Sequence, residues 1–335
     1  MEHAVVIGST PGALRFAALL ARSGTLVRYL SPGVAPAGVS ADPPWGPVVA
    51  RVPVELRWQL EALWGPALPI AEGGLQQGEW AQDRVLPPTV RKRDRLARIF
   101  GLVQQPPWRV PAQGAAALPK RWIDAVLDKG GEVLDGVAIE GFDVEDGRVT
   151  AVQTDHGREH VLGRLFVDAP IDDVAEWVEL PVDAEQVDAL TPAHRIQVTL
   201  KIDSVDVLPW LLDTPVGMPF ERVTRPGLLP QSQDWWSFVT VHIACSDGSV
   251  VWMFSDDELI ARVIDALAPL GKAHASQAVV QRLPWGASRG GDEDTLALQQ
   301  QLNAMGITPL WRTIGHELTL VEEIRWAEGV LQSAS

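Results

Sequence analysis

The sequence contains very little cysteine and no long apolar run. Cys245 is the only cysteine in 335 residues, which excludes an intramolecular disulfide and fits a reducing compartment. Its segment, Val-His-Ile-Ala-Cys, predicts a buried strand. No uninterrupted apolar run reaches the length of a membrane span, and the first predicted strand begins at Ala4, which leaves no room for a cleavable signal. We therefore expect a cytoplasmic protein without a membrane span.

Basic residues are also scarce. The chain has 28 Lys and Arg against 43 Asp and Glu, a formal charge of -15. Nucleic acids and anionic membranes bind basic surfaces, so the charge argues against both as partners. The one basic run, at 91–98, is interpreted as a solvated helix face. The 14 tryptophans against one tyrosine fit either core packing or a large apolar cleft or interface, and composition leaves both interpretations open.

The first thirty residues predict a strand, a tight turn, a helix and a second strand. Ala4 to Ile7 form a short apolar run, and Gly8 follows where the chain must turn sharply. Apolar residues then recur at helical spacing until Gly24, and a second apolar run covers 26–30. This order is the opening βαβ unit of a dinucleotide-binding fold.

The phosphate-binding motif of that unit, G-x-G-x-x-G followed by an acid, is incomplete here. Gly8 keeps the first position, but Thr10 occupies the second glycine position and Ala13 the third. Ser31 stands where the acid that binds a ribose hydroxyl is expected. The β-branched side chain of Thr10 restricts the backbone and fills space that a phosphate would occupy. The motif therefore predicts a weakened nucleotide site.

A second ordered block lies between 114 and 179. Pro119 to Lys129 is predicted as a helix that Gly130 and Gly131 end, and 132–134 as a strand. Strands at 139–144 and 149–154 form a predicted hairpin around Asp146-Gly147. A further strand at 163–170 leads into a helix at 172–179.

This order of elements resembles the amine-oxidase-like flavoproteins, particularly their protoporphyrinogen-oxidase and phytoene-desaturase branch. The matching positions are Gly114, Leu118, Pro119, Gly131, Val133, Asp146, Gly147, Ala169 and Pro170. The resemblance implies an α/β fold: a Rossmann-like, glutathione-reductase-type FAD/NAD(P)-binding domain with an inserted α+β substrate-type lobe. It also implies that Gly8, Thr10, Gly12, Ser31 and His316 line an FAD cofactor.

The resemblance divides the chain discontinuously. The dinucleotide-binding-type domain is expected over 1–45, 114–170 and 300–335, and the substrate-type lobe over 46–113 and 171–299.

The second lobe has its own predicted elements. Strands are predicted at 196–202 and 238–244, and a hairpin leads into a third strand at 250–254. Ser255 to Glu258 is interpreted as a capping box before a helix that ends at Leu267.

The chain departs from the family in several contact regions. Relatives carry a Gly-Gly-Arg segment soon after the ribose acid, whereas 32–50 contains no arginine. Each lost hydrogen bond to a charged group removes about 1.5 to 3 kcal/mol, and about 1.4 kcal/mol is a tenfold change in affinity. The departures predict weakened or lost FAD binding. No catalytic residue can be carried over from the family.

The sequence supports three functional hypotheses. The first is a degenerate flavin oxidoreductase-like pseudoenzyme with a binding or scaffolding role toward a protein partner or a hydrophobic small molecule. The second is an active FAD-dependent oxidoreductase acting on a hydrophobic small molecule. The third is binding of a small nucleotide such as ADP in the remaining half-site. A metal is not expected, because His156 and His160 are predicted to lie on a hairpin where positions four apart are distant.

Overall fold

The structure is a computed structural model. It describes residues 2–9, 11–32, 50–51, 60–61, 63, 67–69, 77–81, 84–86, 108–111, 117–169, 171–180, 193–202, 211–213, 220, 222–224, 238–246, 249–268, 273–283 and 300–310. The chain divides into two compact units. Unit 1 comprises Met1–Val39, Ala117–Ala193 and Trp285–Ser335, and unit 2 comprises Ser40–Ala116 and His194–Pro284.

The described residues form both strands and helices, which are numbered in chain order. The strands are β1 (His3–Gly8), β2 (Leu26–Ser31), β3 (Ala50–Arg51), β4 (Ala67–Pro69), β5 (Gln77–Ala81), β6 (Arg84–Leu86), β7 (Trp108–Pro111), β8 (Glu132–Asp135), β9 (Ile139–Glu145), β10 (Arg148–Thr154), β11 (Gly157–His160), β12 (Arg164–Asp168), β13 (Ala193–Ile202), β14 (Leu211–Asp213), β15 (Arg222–Thr224), β16 (Phe238–Ser246), β17 (Ala273–Leu283) and β18 (Ile307–Pro309). The helices are α1 (Pro11–Arg22), α2 (Leu118–Leu127), α3 (Ile171–Trp177), α4 (Val250–Met253) and α5 (Asp256–Leu267).

Unit 1 is built on a five-stranded parallel sheet. Its strand order is β18-β12-β1-β2-β8, and all four neighbouring pairs are parallel. The chain runs outward from β1 through β2 to β8 and then returns to β12 on the other side of β1. The strand order therefore reverses between β1 and β12, which is where doubly wound sheets bind ligands.

The two faces of this sheet are covered by different layers. Phe166 of β12 faces the helical layer, where its ring makes an edge contact with Phe16 of α1 at a centroid distance of 4.9 Å. Its neighbours in β12, Leu165 and Val167, face the opposite side and pack in a core with Val152 of the three-stranded sheet β11-β10-β9. The apolar strands of the parallel sheet are therefore buried on both faces, as parallel strands require.

The predicted hairpin at Asp146-Gly147 is confirmed. β9 and β10 pair antiparallel, and the turn residues have φ values of 51° and 75°. Two successive left-handed residues are the geometry of a type I′ turn, for which Asp-Gly is a preferred sequence.

Unit 2 contains a seven-stranded sheet with the order β17-β13-β16-β15-β14-β5-β6. Helix α5 contributes Leu259, Val263 and Leu267 to a core with the apolar residues of β13 and β16. Cys245 is buried in β16, which confirms the predicted buried strand. A separate three-stranded sheet has the order β3-β7-β4.

The predicted capping box is confirmed, but the strand predicted before it is wrong. The Ser255 hydroxyl accepts the Glu258 N–H, and the Ser255 N–H donates to the Glu258 carboxylate at 2.9 Å. The predicted strand at 250–254 is instead the short helix α4, because Ser249 caps it by accepting the Trp252 N–H at 3.4 Å. The cap satisfies one backbone N–H of the helix and so favours it over the strand that the apolar residues would form.

The predicted helix face of the basic run at 91–98 falls outside the described residues. Within the described part of the chain, no helix is both long and apolar enough to cross a membrane.

Gly163, just before β12, packs closely against His3 at the start of β1, and this contact gives a testable prediction. A methyl group added at Gly163 would overlap the His3 carbonyl oxygen, whereas one added at Gly141 would lie 3.8 Å from the Trp177 carbonyl oxygen. We expect Gly163→Ala to lower the free energy of unfolding by about 1 to 3 kcal/mol, measured by urea denaturation. Gly141→Ala is the matched control and should change it much less. Equal losses for the two variants would contradict the close packing at Gly163.

Candidate functional site

The carboxyl edge of the parallel sheet brings four strand-end residues together. Gly8 at the end of β1 is the register partner of Asp168 at the end of β12. Ser31 at the end of β2 is the register partner of Asp135 at the end of β8. Ligands bind outside this edge in doubly wound folds, so these four residues define the candidate site.

Gly8 is required by packing within the turn. A methyl group on Gly8 would lie 2.7 Å from the Ala13 side chain and 2.8 Å from the Asp168 Cβ. Helix α1 begins at Pro11, and both Gly12 and Ala13 are buried in its first turn. The close approach of helix to strand is therefore present, with Ala13 accommodated at the position of the third glycine.

Ser31 lies at the predicted edge but has no exposed surface. Its carbonyl oxygen accepts a hydrogen bond from the Val137 N–H at 3.1 Å, so the connection from β8 to β9 passes directly beside it. Val137 itself is buried. A ribose could reach the Ser31 hydroxyl only if this connection moved.

Tyr29 occupies the space beneath the turn. It is the only tyrosine in the chain and is fully buried in β2, and its hydroxyl donates a hydrogen bond to the Gly8 carbonyl oxygen at 2.5 Å. Burial raises the pKa of the Tyr29 hydroxyl, and the negative charges of Asp168 and Asp135 raise it further, while the Ser31 hydroxyl acts in the opposite direction. The Tyr29 hydroxyl is therefore neutral, and its hydrogen bond to the Gly8 carbonyl holds the backbone of the glycine turn in place.

Two carboxylates flank the edge, and sequence reasoning missed both. Asp168 is buried with 1% of its surface exposed, whereas Asp135 is exposed. Neither residue belongs to a known motif, and in the sequence each is only the acid that follows an apolar strand. The available signal is that position itself, since the carboxyl ends of parallel strands converge at one edge of the sheet.

The remaining predicted site residues are placed as follows. Gly8, Gly12 and Ser31 are brought to the same end of the sheet. Thr10 and His316 lie outside the described residues. His156 lies in the turn before β11 and His160 at its end, as the predicted hairpin requires. In the described ranges, no group of three or more His, Cys, Asp or Glu side chains could hold a metal ion.

The described residues fit an adenine dinucleotide poorly. The ribose needs an acceptor at the end of β2, and the Ser31 hydroxyl is buried there beside the connection from β8 to β9, without a hydrogen-bond partner among the described residues. The pyrophosphate needs donors at the turn, and the buried Asp168 carboxylate beside Gly8 instead adds negative charge. The glycine turn itself is retained.

Comparison with known proteins identifies the fold. No protein-family model and no curated protein matches the sequence significantly. A reduced UDP-galactopyranose mutase matches with a TM-score of 0.67 at 13% identity, over 100% of this chain and 96% of that chain. A fatty acid isomerase from P. acnes matches with a TM-score of 0.62 at 12% identity, over 99% and 98% of the two chains. Glycine oxidase from Bacillus cereus matches with a TM-score of 0.54 at 11% identity, over 100% and 95%.

The chain has the fold that these three structures share. The expected α/β architecture with a parallel, Rossmann-type sheet is confirmed at this level. The structures that share it include a mutase, an isomerase and an oxidase, so the fold does not specify one reaction.

The buried Tyr29 hydroxyl gives a prediction for alkaline pH. Because its pKa is raised in the folded protein, the folded state favours the neutral form, and stability falls as pH rises above the unfolded value of about 10. We expect tyrosinate absorbance to appear only together with loss of the native circular dichroism. Tyr29→Phe removes the only tyrosine and supplies the blank. Tyrosinate forming near pH 10 in the folded protein would contradict the buried placement.

Proposed function

We propose that this protein is a degenerate relative of the protoporphyrinogen-oxidase and phytoene-desaturase branch that binds FAD weakly or not at all. Its role is binding or scaffolding, toward a protein partner or a hydrophobic small molecule. The observation that carries the proposal is the buried Asp168 carboxylate at the point where the strand order reverses.

The position of Asp168 determines the charge beside the glycine turn. It is the register partner of Gly8, the first residue of the degenerate phosphate turn. At 4 Å, two like unit charges repel by about 4 kcal/mol at an effective dielectric constant of 20, and burial reduces screening by salt. A carboxylate there opposes the pyrophosphate that the turn would otherwise attract.

The retained framework supports a binding role. The sheet, both of its covering layers and the close packing at Gly8 are all present, while the groups that would hold the dinucleotide are changed. A protein that retains the fold but has lost the contacts to the cofactor still has surfaces that a partner can bind. In this proposal, unit 2 is the substrate-type lobe.

The second candidate is an active FAD-dependent oxidoreductase acting on a hydrophobic small molecule. The exposed Asp135 favours it, because this carboxylate lies beside Ser31 in the register and could accept the ribose hydroxyl in its place. Asp135 and Asp168 therefore support opposite functions, and substitution separates them.

The two candidates differ in how FAD binding responds to the two acids. We expect the purified protein to be colourless and to bind FAD weakly in calorimetric titration. Asp168→Asn should tighten FAD binding about tenfold or more by removing the buried negative charge, which corresponds to about 1.4 kcal/mol. Asp135→Asn is the matched control and should leave the weak binding unchanged.

The opposite response of FAD binding to the two substitutions would support the active oxidoreductase. The proposal of weak or lost FAD binding would be overturned if the protein purified with stoichiometric flavin and the Asp135→Asn variant purified without it. Circular dichroism checks that each variant is folded, and Asp168→Ala provides a second charge-free variant if Asp168→Asn does not fold.

A further inference from the structure

A row of buried polar side chains crosses two strands of the seven-stranded sheet in unit 2. In β13, Ile196, Val198 and Leu200 belong to the apolar core that α5 covers. Side chains alternate between the two faces of a strand, so Gln197 and Thr199 lie on the opposite face. Thr240 and His242 of β16 complete the row for the same reason, since Val239, Val241 and Ile243 face the core.

The row is buried although it is polar. The exposed fractions are 5% for Gln197, 7% for Thr199, 1% for Thr240 and 8% for His242. The Thr199 and Thr240 hydroxyl oxygens are 2.9 Å apart and hydrogen-bonded. Gln197 Nε2 lies 3.4 Å from His242 Nδ1, at the limit of a hydrogen bond. We refer to these four residues as the polar row.

One atom of the polar row lacks a partner. Gln197 Oε1 is buried and has no hydrogen-bond partner among the described residues. Leaving a buried acceptor unsatisfied destabilises the fold, and such groups are rare in native proteins. An apolar side chain of similar size would pack at this position without that cost. The glutamine is therefore better explained by a group that it binds.

The same face of the sheet becomes exposed at its edge strand. Val279 of β17 is the register partner of Thr199, so the two side chains share a face, and Val279 is 56% exposed. Lys201, two residues beyond Thr199 on this face, is half-buried. The polar row therefore adjoins an accessible apolar side chain, which supplies a contact for the apolar part of a ligand.

We propose that Gln197, oriented by His242, is a hydrogen-bonding subsite for a small uncharged molecule that has an O–H or N–H donor and an apolar body. Gln197 Oε1 accepts the donor, and Val279 contacts the apolar body. The part of the ligand that meets Gln197 is uncharged, because the polar row presents an amide, two hydroxyls and an imidazole in contact with the amide. This subsite goes beyond the proposed function and does not depend on FAD, since all its residues lie in unit 2.

Phenol and anisole test the subsite as matched probes, because anisole has the same ring but no hydroxyl donor. Binding of each probe is measured without added FAD by calorimetric titration of the full-length protein. We expect phenol to bind the unmodified protein and Gln197→Leu to weaken that binding about tenfold, the effect of one lost hydrogen bond. Anisole should bind weakly to both forms. Gln153→Leu, the same substitution in unit 1, should leave phenol binding unchanged.

Stability provides the second measurement. If Gln197 is kept for a ligand, Gln197→Leu removes an unsatisfied buried oxygen together with a contact to His242 at the limit of a hydrogen bond, and the urea midpoint should stay about the same. A midpoint that falls clearly would show that Gln197 serves the fold instead. The proposal is also overturned if phenol fails to bind below concentrations that unfold the protein, if phenol and anisole bind equally, or if Gln197→Leu binds phenol as tightly as the unmodified protein. Because none of these outcomes involves FAD, they leave the proposed function untouched.

Discussion

The pairing of β1 with β12 is the constraint on which the candidate site depends. It places Gly8 against Asp168, so closely that a methyl group on Gly8 would overlap the Asp168 Cβ. The same pairing puts the reversal of strand order at this point, which is the ligand-binding position of the fold. A ligand that approaches Gly8 therefore also approaches Asp168.

The local structure of unit 1 was predictable because it is encoded in short segments. The βαβ opening follows from two apolar runs and a helical spacing, and the hairpin follows from Asp146-Gly147, whose left-handed conformations few other residue pairs adopt. The strand predicted at 250–254 in unit 2 was wrong: the segment forms a short helix, and Ser249 caps its first turn. The apolar run alone does not show that Ser249 would act as a cap.

The chemistry of the site was less predictable because it arises from contacts between distant segments. Asp168 follows Gly8 by 160 positions, and only the parallel register shows that they are neighbours. The Tyr29 side chain reaches the Gly8 carbonyl across a strand, and no motif indicates this bond. The motif identifies Ser31 as the residue that replaces the acid. The complete burial of Ser31 was not predictable from the motif, because it depends on the connection between β8 and β9. A motif therefore shows which cofactor-binding residues are replaced. It does not show which residues from distant segments lie at the site.

Polar side chains in the two units have different physical consequences. In unit 1, the Tyr29 hydroxyl and the Gly8 carbonyl satisfy each other, so this bond closes the space beneath the turn and stabilises the fold. In unit 2, the Gln197 oxygen has no partner among the described residues, so that site destabilises the protein unless something binds. A satisfied buried polar group favours rigidity, whereas an unsatisfied one favours a ligand. The Ser31 hydroxyl at the dinucleotide turn is also buried without a hydrogen-bond partner among the described residues, so each unit holds a buried polar group that a ligand could satisfy.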